Sequence, residues 1–138
     1  MKTSRKLLAL FAASLLSVGA LGACGGSGST FKTVDAPEFA EGIKNNNPVV
    51  VDVRTPEEFA EGHLPGALNI DFKSDDFLSS AESALEKKRT VYVYCRSGRR
   101  SAAAASLLAE KGFSPVDLDS GIIDWQKRGF PVTIDPED

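Results

Sequence analysis

The chain has 138 residues, which is enough for one globular domain and short for two. Its 16 lysine and arginine residues are outnumbered by 19 aspartate and glutamate residues, and the net charge is −3. An acidic chain argues against nucleic acid as a partner, because phosphate backbones attract basic proteins.

The N-terminus has the organisation of an export signal. Three cations open it, Lys2, Arg5 and Lys6. Residues 7–21 are an almost wholly apolar run of 15 residues, which is short for a membrane-spanning helix of about 20 residues. The next segment, Leu21-Gly22-Ala23-Cys24, resembles the lipobox of bacterial lipoproteins. This resemblance implies cleavage before Cys24 and a diacylglycerol on its sulfur; the alternatives are an ordinary signal peptide with a chance cysteine and an uncleaved anchor.

Residues 25–30 form a Gly/Ser-rich linker, which spans about 13 Å as a random coil. Removal of the signal takes away three cations and no acid, which leaves 13 cations against 19 acids and a net charge of −6. We therefore predict a signal peptide over 1–23, a lipidated cysteine and linker over 24–30, a folded domain over 31–133 and a tail over 134–138. The predicted location is the extracytoplasmic side of a bacterial membrane, in the periplasm or at the cell surface, with the lipid as the membrane contact.

Helix caps, prolines and apolar runs divide the domain into alternating strands and helices. Asp35 is followed two residues later by Pro37, and Thr55 is followed directly by Pro56. Both patterns are typical of an N-cap and a first helical turn. Gly112 supplies a C-terminal stop. The predicted elements are, in order, a strand over 30–34, a helix over 36–45, a strand over 49–53, a short helix after Thr55 that stops near Gly62, a strand over 67–70, a helix over 74–87, a strand over 91–94, a helix over 100–111, a strand over 116–118 and a helix over 121–128.

This alternation predicts an α/β fold with a mainly parallel central sheet and helices on both faces. In such sheets the ligand site lies at the carboxyl ends of the strands. Cys95 directly follows the strand predicted over 91–94 and therefore falls at such an end.

A loop rich in cations follows the cysteine: Cys95-Arg96-Ser97-Gly98-Arg99-Arg100-Ser101. Neighbouring arginines and a helix start favour the thiolate, and a glycine lets the backbone curl into an anion cradle. If Cys24 is acylated, Cys95 is the one free thiol, which excludes an intramolecular disulfide, a CxxC site and a cysteine-based zinc site. The alternative is a buried structural cysteine. One of Arg99 and Arg100 is expected to be a solvated helix charge, and the sequence does not choose between them.

The loop resembles the active-site loop of the rhodanese family. Two further segments carry the resemblance, 52–70 and 119–132, although Ser120 stands where many members have a second glycine. The resemblance implies a single rhodanese-like domain and sulfurtransferase activity, without a metal or organic cofactor. It also implies that Cys95 takes sulfur from thiosulfate or a similar small anionic donor as a persulfide and passes it to a thiol, or to cyanide. The implied substrate-binding residues are Arg96, Ser97, Gly98, Arg99 and Arg100.

Three other functions compete with this interpretation. A cysteine phosphatase has an arginine where this chain has Ser101. A Cys–His hydrolase is disfavoured because His63, the single histidine, lies in a turn-like segment. A non-catalytic module that binds a partner, or carries sulfur slowly, stays open as an alternative. No feature of the sequence predicts an obligate oligomer, so we expect a monomer.

Several polar and aromatic residues near the motifs are interpreted as structural. Asp52 is expected to accept backbone N–H bonds from the next loop, and Arg54 to pair with Glu58 or another nearby acid. Trp125 is expected in the core. Strand alternation places two tyrosines, Tyr92 and Tyr94, on the opposite strand face from Val91, Val93 and Cys95.

Overall fold

The computed structural model describes residues 30–136. The predicted signal peptide, Cys24 and the linker up to residue 29 lie outside the described residues, as do residues 137–138. Strands in the described part are β1 Lys32–Val34, β2 Val49–Asp52, β3 Leu68–Asn69, β4 Val91–Tyr94 and β5 Pro115–Leu118. Helices are α1 Ala36–Asn46, α2 Pro56–Ala60, α3 Phe77–Ala84, α4 Arg99–Glu110 and α5 Gly121–Lys127. Within residues 30–136, no helix has the length and apolarity needed to cross a membrane.

The predicted caps are present where the sequence places them. The Asp35 carboxylate accepts a hydrogen bond from the backbone N–H of Glu38, at the start of α1. The Thr55 hydroxyl accepts one from the backbone N–H of Glu58, at the start of α2. These bonds satisfy N–H groups that the first helical turn leaves without a partner.

α3 is shorter than the helix predicted over 74–87. At its start, Asp71 accepts a backbone N–H from Lys73, and the Ser74 hydroxyl donates to Asp76, so the chain turns before the helix begins. At its end, Leu85 is extended and buried, so the apolar side chain that continues the helical pattern enters the core by leaving the helix.

The five strands form one sheet in the order β1-β5-β4-β2-β3, and every pairing in it is parallel. The prediction of an α/β fold with a mainly parallel sheet is therefore confirmed. β4 lies at the centre, between β5 and β2. Its carboxyl end, where Cys95 follows, is flanked by the carboxyl ends of both neighbours. An isolated antiparallel bridge between His63 and Thr133 holds the last described segment against the domain.

Two hydrophobic cores cover the two faces of the sheet. The α4-side core contains Val91, Val93 and Cys95 of the central strand, and the α1-side core contains Tyr92 and Tyr94. Helices therefore cover both faces, and the predicted alternation along this strand is confirmed.

Small and large residues set the helix distances to the sheet. Ala104 and Ala105 of α4 are fully buried, so this helix lies close on the strands. On the other face, a methyl group at Gly42 of α1 would collide with the Tyr92 hydroxyl. Trp125 is buried in the α1-side core, as predicted, and its indole N–H donates to the Pro131 carbonyl at 2.9 Å.

Candidate active site

Cys95 is the first residue after the central strand, and its thiol is free. The residue is 1% exposed and belongs to the α4-side core. The surroundings of its sulfur are not wholly apolar, because the backbone N–H of Gly98 donates a hydrogen bond to Sγ at 3.1 Å. A backbone N–H aimed at sulfur can stabilise negative charge that develops on that atom during a reaction.

Gly98 gives the loop its shape. It is the N-cap of α4 and has a φ of 100°, a backbone conformation that glycine adopts without the usual penalty. A methyl group there would collide with the carbonyl oxygen of Asp119, which follows β5. The Gly98 carbonyl accepts hydrogen bonds from the Ala102 N–H at 3.1 Å and from the Ser101 hydroxyl at 3.2 Å. A substitution at this position therefore strains the backbone and displaces the loop.

The start of α5 holds the other side of the loop. The N–H groups of Ile122 and Ile123 donate to the carbonyls of Cys95 at 2.9 Å and Arg96 at 3.2 Å. Gly121 makes this approach possible, because it has a φ of 65° and a side chain there would collide with the Arg96 carbonyl. The preceding Ser120 has a φ of −102°, so a serine fits where many relatives have a second glycine.

The three arginines of the loop have different surroundings. Arg96 and Arg99 are exposed, as is Ser97, and neither guanidinium forms a salt bridge within residues 30–136. Arg100 is half-buried and donates two hydrogen bonds to the Glu58 carboxylate, at 2.8 and 2.9 Å. Of the two candidates for a solvated helix charge, Arg99 is the exposed one, and Arg100 is held against α2.

The Arg100–Glu58 pair ties the loop to α2. The hydrogen bonds from Arg100 lower the pKa of Glu58 to about 2, and burial only partly offsets this effect. The same pair raises the pKa of Arg100, with smaller contributions from Cys95 and Asp52. The pair therefore stays ionised at neutral pH, and its cation lies close enough to Cys95 to stabilise negative charge there.

These features coincide with those of a known family. The family model for the rhodanese-like domain matches residues 35–128. This chain belongs to the rhodanese-like domain family.

Relatives and solved structures agree with that membership. The rhodanese-like domain is similar to a protein of Allochromatium vinosum named "Sulfurtransferase", with 35% identity over 101 residues, 72% of this chain and 92% of the relative. It is 38% identical over 105 residues to "Thiosulfate sulfurtransferase GlpE" of Ectopseudomonas mendocina, covering 75% of this chain and 91% of that protein. The crystal structure of a rhodanese-related protein from Thermoplasma volcanium matches with a TM-score of 0.68 and 32% identity, over 76% of this chain and all of the other. The family thus supports sulfurtransferase chemistry, with a sulfur donor and a thiol acceptor.

A buried ionic cluster supports the rhodanese-like domain beside the loop. Asp52 accepts the backbone N–H of Arg54 at 2.9 Å, as predicted for this acid. The Arg54 guanidinium donates to both Asp52 oxygens, at 2.6 to 3.0 Å, and to the Gly62 carbonyl at 2.7 Å. Of the expected partners for Arg54, Glu58 or another nearby acid, the structure shows the second, because Arg54 binds Asp52 and Glu58 binds Arg100.

Tyr94 extends this cluster to the central strand. Its hydroxyl donates to Asp52 Oδ2 at 2.6 Å and accepts from the Leu64 N–H at 3.0 Å. Burial, with the negative charge of Asp52, raises the pKa of Tyr94 well above its ordinary value, so the hydroxyl stays a donor. The cluster therefore joins the carboxyl ends of two adjacent strands, β2 and β4.

His63 lies away from the nucleophile. It is 2% exposed, stacks on Phe59 with ring centroids 3.8 Å apart, and places Nδ1 2.9 Å from the Leu64 carbonyl. Its Nε2 lies 3.1 Å from the Asp135 carboxylate but has no hydrogen-bond partner among residues 30–136. No contact among the described residues joins His63 to Cys95, so the expected structural role fits its surroundings.

Sequence reasoning missed three participants in the site. The sequence predicts Glu58 as a possible partner of Arg54, and its pairing with Arg100 has no local signal. The N–H groups of Ile122 and Ile123 were not foreseen, because backbone donors leave no trace in a sequence. Within residues 30–136, no cluster of three or more histidine, cysteine, aspartate or glutamate side chains is arranged to hold a metal.

Proposed function

We propose that this protein is a sulfurtransferase that moves sulfane sulfur from thiosulfate or a similar anionic donor to a thiol acceptor through a persulfide on Cys95. The observation that carries the proposal is the hydrogen bond from Gly98 N–H to Cys95 Sγ, 3.1 Å long, at the junction of the central strand and α4. This bond, the start of a 12-residue helix and the Arg100 cation all favour negative charge on sulfur.

The reaction is a double displacement without net oxidation. The Cys95 thiolate attacks the outer sulfur of thiosulfate; a new S–S bond forms, the old S–S bond breaks, and sulfite leaves with the electron pair. An acceptor thiolate, or cyanide, then attacks the outer sulfur of the persulfide, and Cys95 leaves as a thiolate. The same loop donors stabilise the anion at the start, in the persulfide and at the end.

The loop residues divide the work of binding the donor. Arg96 and Arg99 are exposed cations at the loop, which attract a dianion from solvent. Ser97 adds an exposed hydroxyl, and Gly98 shapes the backbone. Arg100 is committed to Glu58 and acts on the sulfur through its fixed charge. We therefore assign donor capture to Arg96 and Arg99, and charge stabilisation to Arg100.

The burial of Cys95 favours a second candidate function. With the residue 1% exposed, the nucleophile is reached by a terminal sulfur atom more easily than by a bulky group. Such restricted access to Cys95 also suits a non-catalytic module, or a sulfur carrier that binds a partner and reacts slowly. The two functions differ in turnover, which decides between them.

The test is thiosulfate:cyanide transfer by the purified protein, compared with Cys95→Ser. We expect turnover by the wild type and none by the variant, together with a gain of one sulfur atom in the intact mass of the wild type after thiosulfate. A mass gain without turnover would favour the carrier. Neither turnover nor a mass gain would refute both the persulfide and the enzyme.

We further propose that the protein is exported and anchored by a lipid on Cys24. Support comes from the segment Leu21-Gly22-Ala23-Cys24 and from the Gly/Ser-rich composition of residues 25–30, which is typical of a linker. Cys24→Ala should move the protein from the membrane fraction to the soluble fraction, with Ser27→Ala as the matched control. Unchanged fractionation of Cys24→Ala would refute the anchor.

A further inference from the structure

Asp117 is a buried acid beneath the loop, and the proposed mechanism does not use it. It lies in β5, in register with Val93 of β4 and Thr33 of β1. Its neighbours Val116 and Leu118 pack in the α1-side core, so strand alternation directs Asp117 to the face covered by α4. The residue is 2% exposed, and its Oδ1 has no hydrogen-bond partner among residues 30–136. A buried carboxyl oxygen without a partner is costly and calls for a physical explanation.

The groups around Asp117 come from each neighbouring element. Two hydroxyls face it, that of Thr33 from β1 and that of Ser101 from α4. The segment after β5 contributes the Asp119 carboxylate, and β4 contributes the aliphatic side chain of Val93. Burial raises the pKa of Asp117 to about 6, and the charge of Asp119 adds to the rise, whereas the two hydroxyls act in the opposite direction. No cation is among the groups that act on it. Asp117 therefore changes charge near neutral pH.

Ser101 connects this carboxyl to the loop. Its hydroxyl has one proton to donate, and it donates that proton to the Gly98 carbonyl at 3.2 Å. A protonated Asp117 brings its own proton, so Ser101 keeps its bond to Gly98. An ionised Asp117 needs a donor, and a charge-assisted hydrogen bond is roughly twice as strong as a neutral one. Loss of the Asp117 proton therefore draws the Ser101 proton away from Gly98, whose N–H binds the reactive sulfur.

We propose that Asp117 is a positioning residue for the loop, which acts through Ser101, and that its deprotonation weakens capture of the anionic sulfur donor. This inference rests on the proposed sulfurtransferase function. Two effects have the same sign. Release of the Gly98 carbonyl loosens the loop, and a new buried negative charge beneath it repels an anion. The proton lost by Asp117 goes to solvent, so the reaction itself is unchanged.

The kinetic test compares kcat/KM for thiosulfate between pH 5 and pH 8 in the wild type, Asp117→Asn and Asp119→Asn. Any pH effect common to all three proteins cancels in the ratio of variant to wild type, so that ratio is the measured quantity. We expect the ratio for Asp117→Asn to be near one at pH 5 and to rise on the order of 3- to 10-fold above pH 7, because the amide mimics the protonated acid. In Asp119→Asn, the fall in kcat/KM that accompanies deprotonation of Asp117 should remain but occur at lower pH, because the charge that raises the pKa of Asp117 is removed. A flat ratio for Asp117→Asn overturns the inference while the transfer activity stands.

A second measurement is independent of activity. In the wild type, the Asp117 carboxyl carbon and the Gly98 amide are followed by NMR over the same pH range. We expect both to titrate together, and the Gly98 amide to lose this response in Ser101→Ala. A Gly98 amide that ignores Asp117 overturns the inference, even if Asp117→Asn does not fold. Absence of transfer at every pH refutes the proposed function instead, since the NMR coupling does not depend on turnover.

Discussion

Replacing Glu58 with glutamine removes one partner of the ion pair that fixes Arg100. The two side chains are 20% and 27% exposed and are joined by two hydrogen bonds. A fall in the pKa of Glu58 from 4.5 to about 2 corresponds to about 3 kcal/mol, at 1.36 kcal/mol for each pH unit. Solvent screening at this partly exposed position reduces the figure, and we expect Glu58→Gln to lower the free energy of unfolding by about 1–2 kcal/mol at pH 7.

The pH dependence of this loss identifies its cause. The folded-state pKa of Glu58 is depressed, so its contribution is complete above the unfolded pKa of 4.5 and disappears as the pH falls through about 2. The difference between wild type and Glu58→Gln should be constant from pH 7 to about pH 5, and at pH 3 it should be less than half as large.

Urea unfolding at several pH values measures both quantities. Glu57→Gln is the matched control, since Glu57 is an exposed neighbour on the same helix, and a change within about 0.5 kcal/mol is expected for it. Transfer activity of Glu58→Gln should fall as well, because Arg100 loses its fixed position. An unfolding difference that is the same at pH 3 and pH 7 would show that the pair does not stabilise the protein in the way described.

Three further substitutions test other contacts. Arg54→Met leaves the Asp52 carboxylate buried without its cation, and urea unfolding should show a loss of about 3–5 kcal/mol; a loss under about 1 kcal/mol contradicts the ionic role of the cluster. Gly98→Ala should abolish the mass gain with thiosulfate, whereas Gly66→Ala, also at positive φ but in open space, should keep it; equal loading of the two variants rules out the loop collision. Arg99→Gln should raise KM for thiosulfate about tenfold with little change in kcat, and the expected KM effect should shrink at high salt; an unchanged KM removes Arg99 from donor capture.

The sequence predicts the backbone of this fold well, because its signals are local. The Asp35 and Thr55 caps and the β-branched run of β2 each fix an element within a few residues. The end of α3 was mispredicted, since Leu85 continues the helical pattern but packs in the core from an extended backbone. Burial in the core determines the backbone conformation of Leu85, and the local spacing of apolar residues does not reveal it.

Side-chain pairing across the fold is less predictable. Arg100 and Glu58 are 42 residues apart, and their contact depends on how α4 and α2 lie over the sheet. The sequence predicts Glu58 or another nearby acid as the partner of Arg54, and strand geometry selects Asp52. The near-complete burial of Cys95 is likewise a property of packing, since the sequence predicts charge beside the thiol but not its exposure.

Because all five strands run in the same direction, their amino ends lie on one side of the sheet and their carboxyl ends on the opposite side. The described chain enters the domain at the amino ends of the strands, where β1 begins at Lys32, and Cys95 follows the carboxyl end of β4. A tether attached ahead of residue 30, as proposed above, would join the domain at the ends of the strands opposite Cys95. In the proposed lipid-anchored protein, the attachment point would therefore leave the approach to Cys95 open to water-borne donors and acceptors.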